Sequence, residues 1–137
     1  MKNIRTRFLL ICLSWALQGC PYLTVLSLKN ATDESLLVHG VHIAAGSEKD
    51  VGSVVKKDGS IFKSMEVEVE GKVCEYDLQS LNHISSDYYA RDSRGVYYRT
   101  VIRDDMRLYI DHKIFAADDG NAAGDQPDGF PLSPIGC

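Results

Sequence analysis

Polar and apolar positions alternate with a period of two along much of this chain. The pattern is clearest where Met65, Val67 and Val69 interleave with Glu66, Glu68 and Glu70. Successive side chains of a strand point to opposite faces, so this run predicts a strand with one buried face and one wet, acidic face. Its valines favour a strand over a helix. After the single residue Gly71, Lys72 to Leu78 predicts the next strand and contains Cys74, and Leu78 to Asn82 reads as a short helical turn or a loop. Earlier in the chain, Tyr22 to Lys29, Leu36 to Ile43 and Val51 to Val55 are further strand candidates. They are separated by the turn clusters Asn30–Ser35 and Ala45–Glu48, and the stretch after them carries Asp58-Gly59, a hairpin signal. The first two candidates, joined by one turn cluster, predict a hairpin.

Tyr88–Ala90 and Val96–Ile102 flank Arg91–Gly95 and read as another hairpin with a glycine-containing loop. Asp104-Asp105 makes a turn, after which Met106, Leu108 and Ile110 alternate with Arg107, Tyr109 and Asp111. Seven or eight short strands with regular spacing and no sustained helical periodicity predict an antiparallel sandwich or barrel. Parallel strands are not expected, because no helical crossover is visible. From Ala116 onward Asp, Gly, Ala and Pro dominate, so residues 116–137 read as an irregular tail that Phe130, Leu132 and Ile135 dock and Cys137 fastens. No internal repeat is present.

The N-terminal stretch differs from the rest. Lys2, Arg5 and Arg7 precede the ten apolar-rich residues Phe8–Leu17, which run into Leu17-Gln18-Gly19-Cys20. A span of the hydrocarbon core needs about 20 apolar residues, so this run is too short to cross a membrane. A basic stretch, an apolar stretch and a small residue before a cysteine resemble a bacterial lipoprotein signal peptide. That resemblance covers about 20 residues and implies cleavage before Cys20. It also implies a diacylglycerol thioether and an N-acyl chain, palmitate for example, on the cysteine. One acyl chain holds a protein only marginally, whereas two or more give a stable anchor. In such proteins the residues after the cysteine direct sorting. Pro21-Tyr22, with no Asp at the first position, points to the outer membrane and a domain facing the periplasm.

Charge then narrows the partners. The 137-residue chain has a formal net charge of −4, and loss of Lys2, Arg5 and Arg7 with residues 1–19, which hold no acid, takes it to −7. Nucleic-acid binding relies on Lys and Arg neutralising phosphates, and a polybasic grip on anionic lipid needs the same residues. Both are disfavoured by an acidic mature chain. The 118 residues from Cys20 to Cys137 suit one domain with one core. Of the four cysteines, Cys12 leaves with the signal peptide and Cys20 takes lipid. The remaining pair, Cys74 and Cys137, is expected to form a disulfide in an oxidising compartment. The alternative is two free thiols, one of them catalytic.

Candidate chemistry is sparse. His39 and His42 stand three apart on a predicted strand, where they point to opposite faces and cannot share an ion without a bulge. No metal site is expected from them. Asp119, Asn121 and Asp125 superficially resemble a calcium loop, but Ala123 and Phe130 fall where ligands belong, so a solvated segment is the better reading. There is neither a Gly-x-Ser-x-Gly elbow nor a His-Glu-x-x-His pair. The row of Glu66, Glu68 and Glu70 reads as a solvated face that resists aggregation rather than as acid–base machinery. No enzyme activity and no cofactor are expected.

The stretch 88–109 is less bland. Tyr88, Tyr89, Tyr97, Tyr98 and Tyr109 alternate there with Arg91, Arg94, Arg99, Arg103 and Arg107. Tyr and Arg are enriched in binding hot spots. Tyr97 and Arg99 share one strand face, with Tyr98 on the other. Tyr88, Tyr89, Tyr97, Arg99 and Tyr109 are therefore candidates for a protein-binding surface, against the plain alternative that half the tyrosines are core and the arginines pair locally with Asp. The resulting expectation is a signal peptide over 1–19, an all-β domain over 20–115 and a docked tail over 116–137. The domain is expected to be a single antiparallel β-sandwich, architecturally similar to immunoglobulin-like or transthyretin-like domains. In function it is expected to be a lipid-anchored envelope protein that binds another envelope protein as an accessory subunit of an envelope or secretion assembly. An inhibitor of a periplasmic or host enzyme is the first alternative, and a hydrolase or metal-binding protein the second.

Overall fold

The computed structural model describes residues 23–55, 63–111 and 126–137. Cys20, the Asp58-Gly59 turn and the candidate calcium ligands Asp119, Asn121 and Asp125 lie outside the described residues. Nine strands are present among the described ones: β1 (Leu23–Ala31), β2 (Leu36–Val38), β3 (Val41–Ile43), β4 (Glu48–Val55), β5 (Ser64–Val69), β6 (Lys72–Asp77), β7 (Ala90–Arg91), β8 (Gly95–Arg103) and β9 (Leu108–Ile110). Two short 3-10 turns, Gln79–His83 and Ser86–Tyr88, link β6 to β7.

The strands form two sheets over one shared core, the all-β sandwich arrangement expected from the alternation. The first sheet runs β4-β1-β8, and β7 and β9 both pair with the far edge of β8, one beside each half of it. The second runs β3-β2-β5-β6. From the first sheet, Leu26 and Leu28 of β1 and Tyr98 and Ile102 of β8 face inward. Leu36, Met65, Val67 and Tyr76 meet them from the second. The period-2 pattern of β5 holds over its first four residues, with Met65 and Val67 buried and Ser64 and Glu66 exposed, and fades at the partly buried Glu68 and Val69.

Three local expectations are corrected. First, β1 and β2 do not form a hairpin, because they lie in different sheets. Asn30 makes the corner between them. Its fully buried side chain donates from Nδ2 to the carbonyls of Glu34 (2.7 Å) and Ile43 (3.0 Å). Its Oδ1 accepts from the amide (3.0 Å) and the hydroxyl (2.8 Å) of Thr32. A buried amide with both ends satisfied holds an irregular backbone where no ladder can.

Second, Leu36–Ile43 is not one strand. His39 and Gly40 have φ of +49° and +80°, and Glu70 and Gly71 repeat the arrangement at +49° and +76°. Two successive positive φ values make the tight turn whose twist matches paired strands. Hence β2 pairs with β3 and β5 with β6, and Glu70 sits in a turn instead of on the acidic face.

Third, β1 and β8 pair in parallel, Leu23 beside Gly95 through to Ala31 beside Arg103. Parallel neighbours need a long crossover, usually a helix. Here the intervening chain includes the whole second sheet, so no helical periodicity announces it.

The last described segment straps one side of the sandwich. The Gln126 amide accepts from the Ile110 N–H (2.8 Å) and donates to the Ile110 carbonyl (3.0 Å). Phe130 enters the core, and Leu132 exchanges two backbone hydrogen bonds with Leu108 of β9 at 2.9 Å each. The Ile135 N–H then donates to the Glu75 carbonyl of β6 (2.6 Å), and Cys137 is disulfide-bonded to Cys74 on the same strand. The segment thus ties the first sheet to the second.

Candidate functional site

On the outer face of the first sheet the alternation that buries Leu26, Leu28 and Tyr98 turns Val25, Ser27, Tyr97 and Arg99 outward. Val25 stands beside Tyr97, and Ser27 stands between Asp50 of β4 and Arg99 of β8. A β-bulge in β4 opposite Leu26 and Ser27 sends Val51 into the core and leaves Glu48 and Asp50 on the surface. The short β7 closes the opposite side with Ala90 and Arg91. Together these residues line a cleft of about 480 Å3.

Arg99 organises one end of it. Its Nε reaches both carboxylate oxygens of Glu48 (3.0 and 2.9 Å), and a second guanidinium nitrogen lies 2.7 Å from Glu48 Oε2. The third nitrogen is 3.2 Å from Asp111 Oδ2, and the Arg99 side chain keeps only 19% of its exposure. The Ser27 hydroxyl donates to Glu48 Oε1 (2.8 Å). A planar guanidinium gripping one carboxylate with two nitrogens is the geometrically strong form of ion pair. Shared between two partly covered carboxylates, it is an internal cross-link of β4, β8 and the residue after β9.

Asp92 organises the other end. Its Oδ1 accepts from the amides of Arg94 (2.7 Å) and Gly95 (2.9 Å), and the Tyr97 hydroxyl lies 3.4 Å away. The Arg94 amide foremost, with the Gly95 amide, the Arg94 charge and the Tyr97 hydroxyl, holds this carboxyl below the usual Asp range. The same bonds shape the loop from β7 to β8 and so set where Tyr97 emerges.

The five residues singled out from the sequence are not one surface. Tyr97 and Arg99 line the cleft. Tyr109 lies on the same sheet face, beside Val101. Its hydroxyl donates to Asp105 (2.6 Å), and the Arg103 guanidinium is 4.7 Å from its ring centre. The bond to Asp105 pushes the Tyr109 phenol up and pulls the Asp105 carboxyl down. Tyr88 and Tyr89 are half-buried against the core, with the Tyr89 ring 5.3 Å from that of the buried Tyr98. Val25, Ser27, Glu48 and Asp50 were missed. They come from strands remote in sequence, and the hairpin expected for β1 hid its place beside β8. The one available signal was the alternation of Val25 and Ser27 with Leu26 and Leu28.

Other candidates stand apart from the cleft. His39 occupies a turn and His42 the outer side of β3, both exposed. Among the described residues no three His, Cys, Asp or Glu side chains are grouped to hold a metal ion. No helix of the described residues is long and apolar enough to cross a membrane. No protein-family model, curated protein or solved structure matches the chain.

Proposed function

We propose that this chain is a lipid-anchored protein of the bacterial envelope, held by Cys20, that binds another envelope protein through the cleft of its first sheet. One observation carries the reading. The Leu17-Gln18-Gly19-Cys20 box ends three residues before Leu23, where β1 begins, and β1 is an interior strand that supplies Val25 and Ser27 to the cleft. Three extended residues span at most about 10 Å, and Val25 lies about 7 Å further along the strand. The cleft therefore opens within about 20 Å of the lipid foot. A partner that fills it must itself lie at the membrane surface. The cleft's Tyr, Arg and carboxylate lining suits protein recognition.

Site-specific photocrosslinking in cells tests this. A photoreactive phenylalanine at position 97 is expected to give one dominant adduct with an envelope protein, and the same probe at Glu66, on the outer face of the second sheet, is not. Cys20→Ser is expected to remove both acyl incorporation and at least nine-tenths of the adduct. Equal adducts from both positions, or none from position 97, would overturn the proposal.

A further inference from the structure

We infer that the cleft receives a cationic side chain, Lys or Arg, presented by an extended segment of the partner. This rests on the protein-binding reading of the same cleft. The lining carries three carboxylates, Glu48, Asp50 and Asp92, and two guanidiniums, Arg91 and Arg99. Arg99 is committed on both sides, to Glu48 and to Asp111 behind it. An incoming carboxylate at Arg99 would have to displace one of those partners, and with the ion-pair partners just outside the lining, Asp111 and Arg94, four carboxylates stand against three guanidiniums. The excess of one carboxylate favours a cation over an anion there.

Asp50 gives that preference a location. It is exposed on β4, across from Ser27, and makes no ion pair with a described residue. Of the apolar part of the lining, Val25 lies on the neighbouring strand two residues from Ser27, and Tyr97 and Ala90 lie on the two strands beyond it. A Lys or Arg side chain needs this combination, because its methylene stem covers apolar surface while its head seeks a carboxylate. At about 480 Å3 the cleft also falls within the range of roughly 300–1,000 Å3 typical of ligand sites.

The test uses the full-length protein in detergent micelles, labelled for amide NMR. It is titrated with a blocked pentapeptide of Ala carrying a central Arg, and with the same peptide carrying a central Glu. The Arg peptide is expected to shift the amides of Val25, Asp50 and Tyr97, and the Glu peptide to leave them in place. Asp50→Asn, which preserves shape, is expected to weaken binding of the Arg peptide at least fivefold. Glu66→Gln, on the other sheet, should leave it unchanged. Equal response to the two peptides, shifts confined to other surfaces, no response at all, or an unaffected Asp50→Asn variant would each overturn the inference. If position 97 still gives its single adduct in cells, the protein-binding reading stands and only the cationic preference falls. If the Arg peptide binds and no adduct forms in cells, the preference stands and the binding function falls.

Discussion

Tyr76 shows how much a single residue depends on neighbours remote in sequence. Its place on the inner face of β6, two residues from Cys74, follows from alternation alone. Its hydroxyl, however, donates to the Met106 carbonyl at 2.6 Å, in a turn that Met106 makes with φ of +56°. Burial, and then the charge of Asp105, push the phenol from 10.0 up to about 12. The folded state thus holds the neutral form more firmly than the unfolded chain does. This contribution is fully present below pH 10 and is lost as pH rises from 10 to about 12. Denaturant midpoints measured across that window should fall with pH, and Tyr76→Phe should flatten the fall while lowering stability at neutral pH. An equally steep alkaline loss in the variant would show that other groups cause it. The tyrosines of 88–109 teach the same lesson. Composition placed them together, but backbone direction and packing sent Tyr98 into the core, Tyr89 against it and Tyr97 into the cleft.

At the scale of elements, contacts close in sequence were the legible ones. The β5–β6 and β7–β8 hairpins join neighbours through short loops; the second was expected as a hairpin, the first only as two successive strands around Gly71. The turn types were less visible, because His39-Gly40 and Glu70-Gly71 lack the Asn or Asp that usually marks a tight hairpin turn. The β1–β8 pairing was invisible, since it joins residues about 70 apart with no helix between. Gly95 is the feature that admits it. The Leu23 N–H donates to the Arg94 carbonyl at 3.0 Å, and a Cβ on Gly95 would overlap the carbonyl oxygen of Leu23. Gly95→Ala must push β1 away from β8 and is expected to cost about 2 kcal/mol or more, at the upper end of overpacking penalties. Chemical unfolding would measure it, and a change under about 0.5 kcal/mol, the size of an ordinary surface substitution, would show that the two strands separate freely there.

For the whole molecule, the strap of residues 126–137 is the decisive connection. It hydrogen-bonds to β9 in one sheet and β6 in the other, and the disulfide locks its end. Cys74 and Cys137 are 63 residues apart. A closed loop of that size is worth about 4 kcal/mol in the loop-entropy account. Cys137→Ser should lower unfolding stability by about that amount. It should also raise amide exchange at Ile135 more than at Leu132, which keeps its own pair of bonds to Leu108. A loss below about 1 kcal/mol, no more than one net hydrogen bond, would mean that Phe130 and the backbone bonds hold the strap unaided.

By itself, the sequence determined the all-β class, the inner faces of the strands, the β7–β8 hairpin and the short stretch that resembles a lipoprotein leader. These are written in local periodicity, because the two faces of a strand differ in what they touch wherever the strand ends up. The tertiary structure alone decided which strands stand side by side, the parallel centre of the first sheet, and hence the cleft. Its residues come from β1, β4 and the β7–β8 hairpin, and Arg99 finds Glu48 across 51 positions of sequence. Such a meeting depends on the closure of the whole core, for which no local pattern exists.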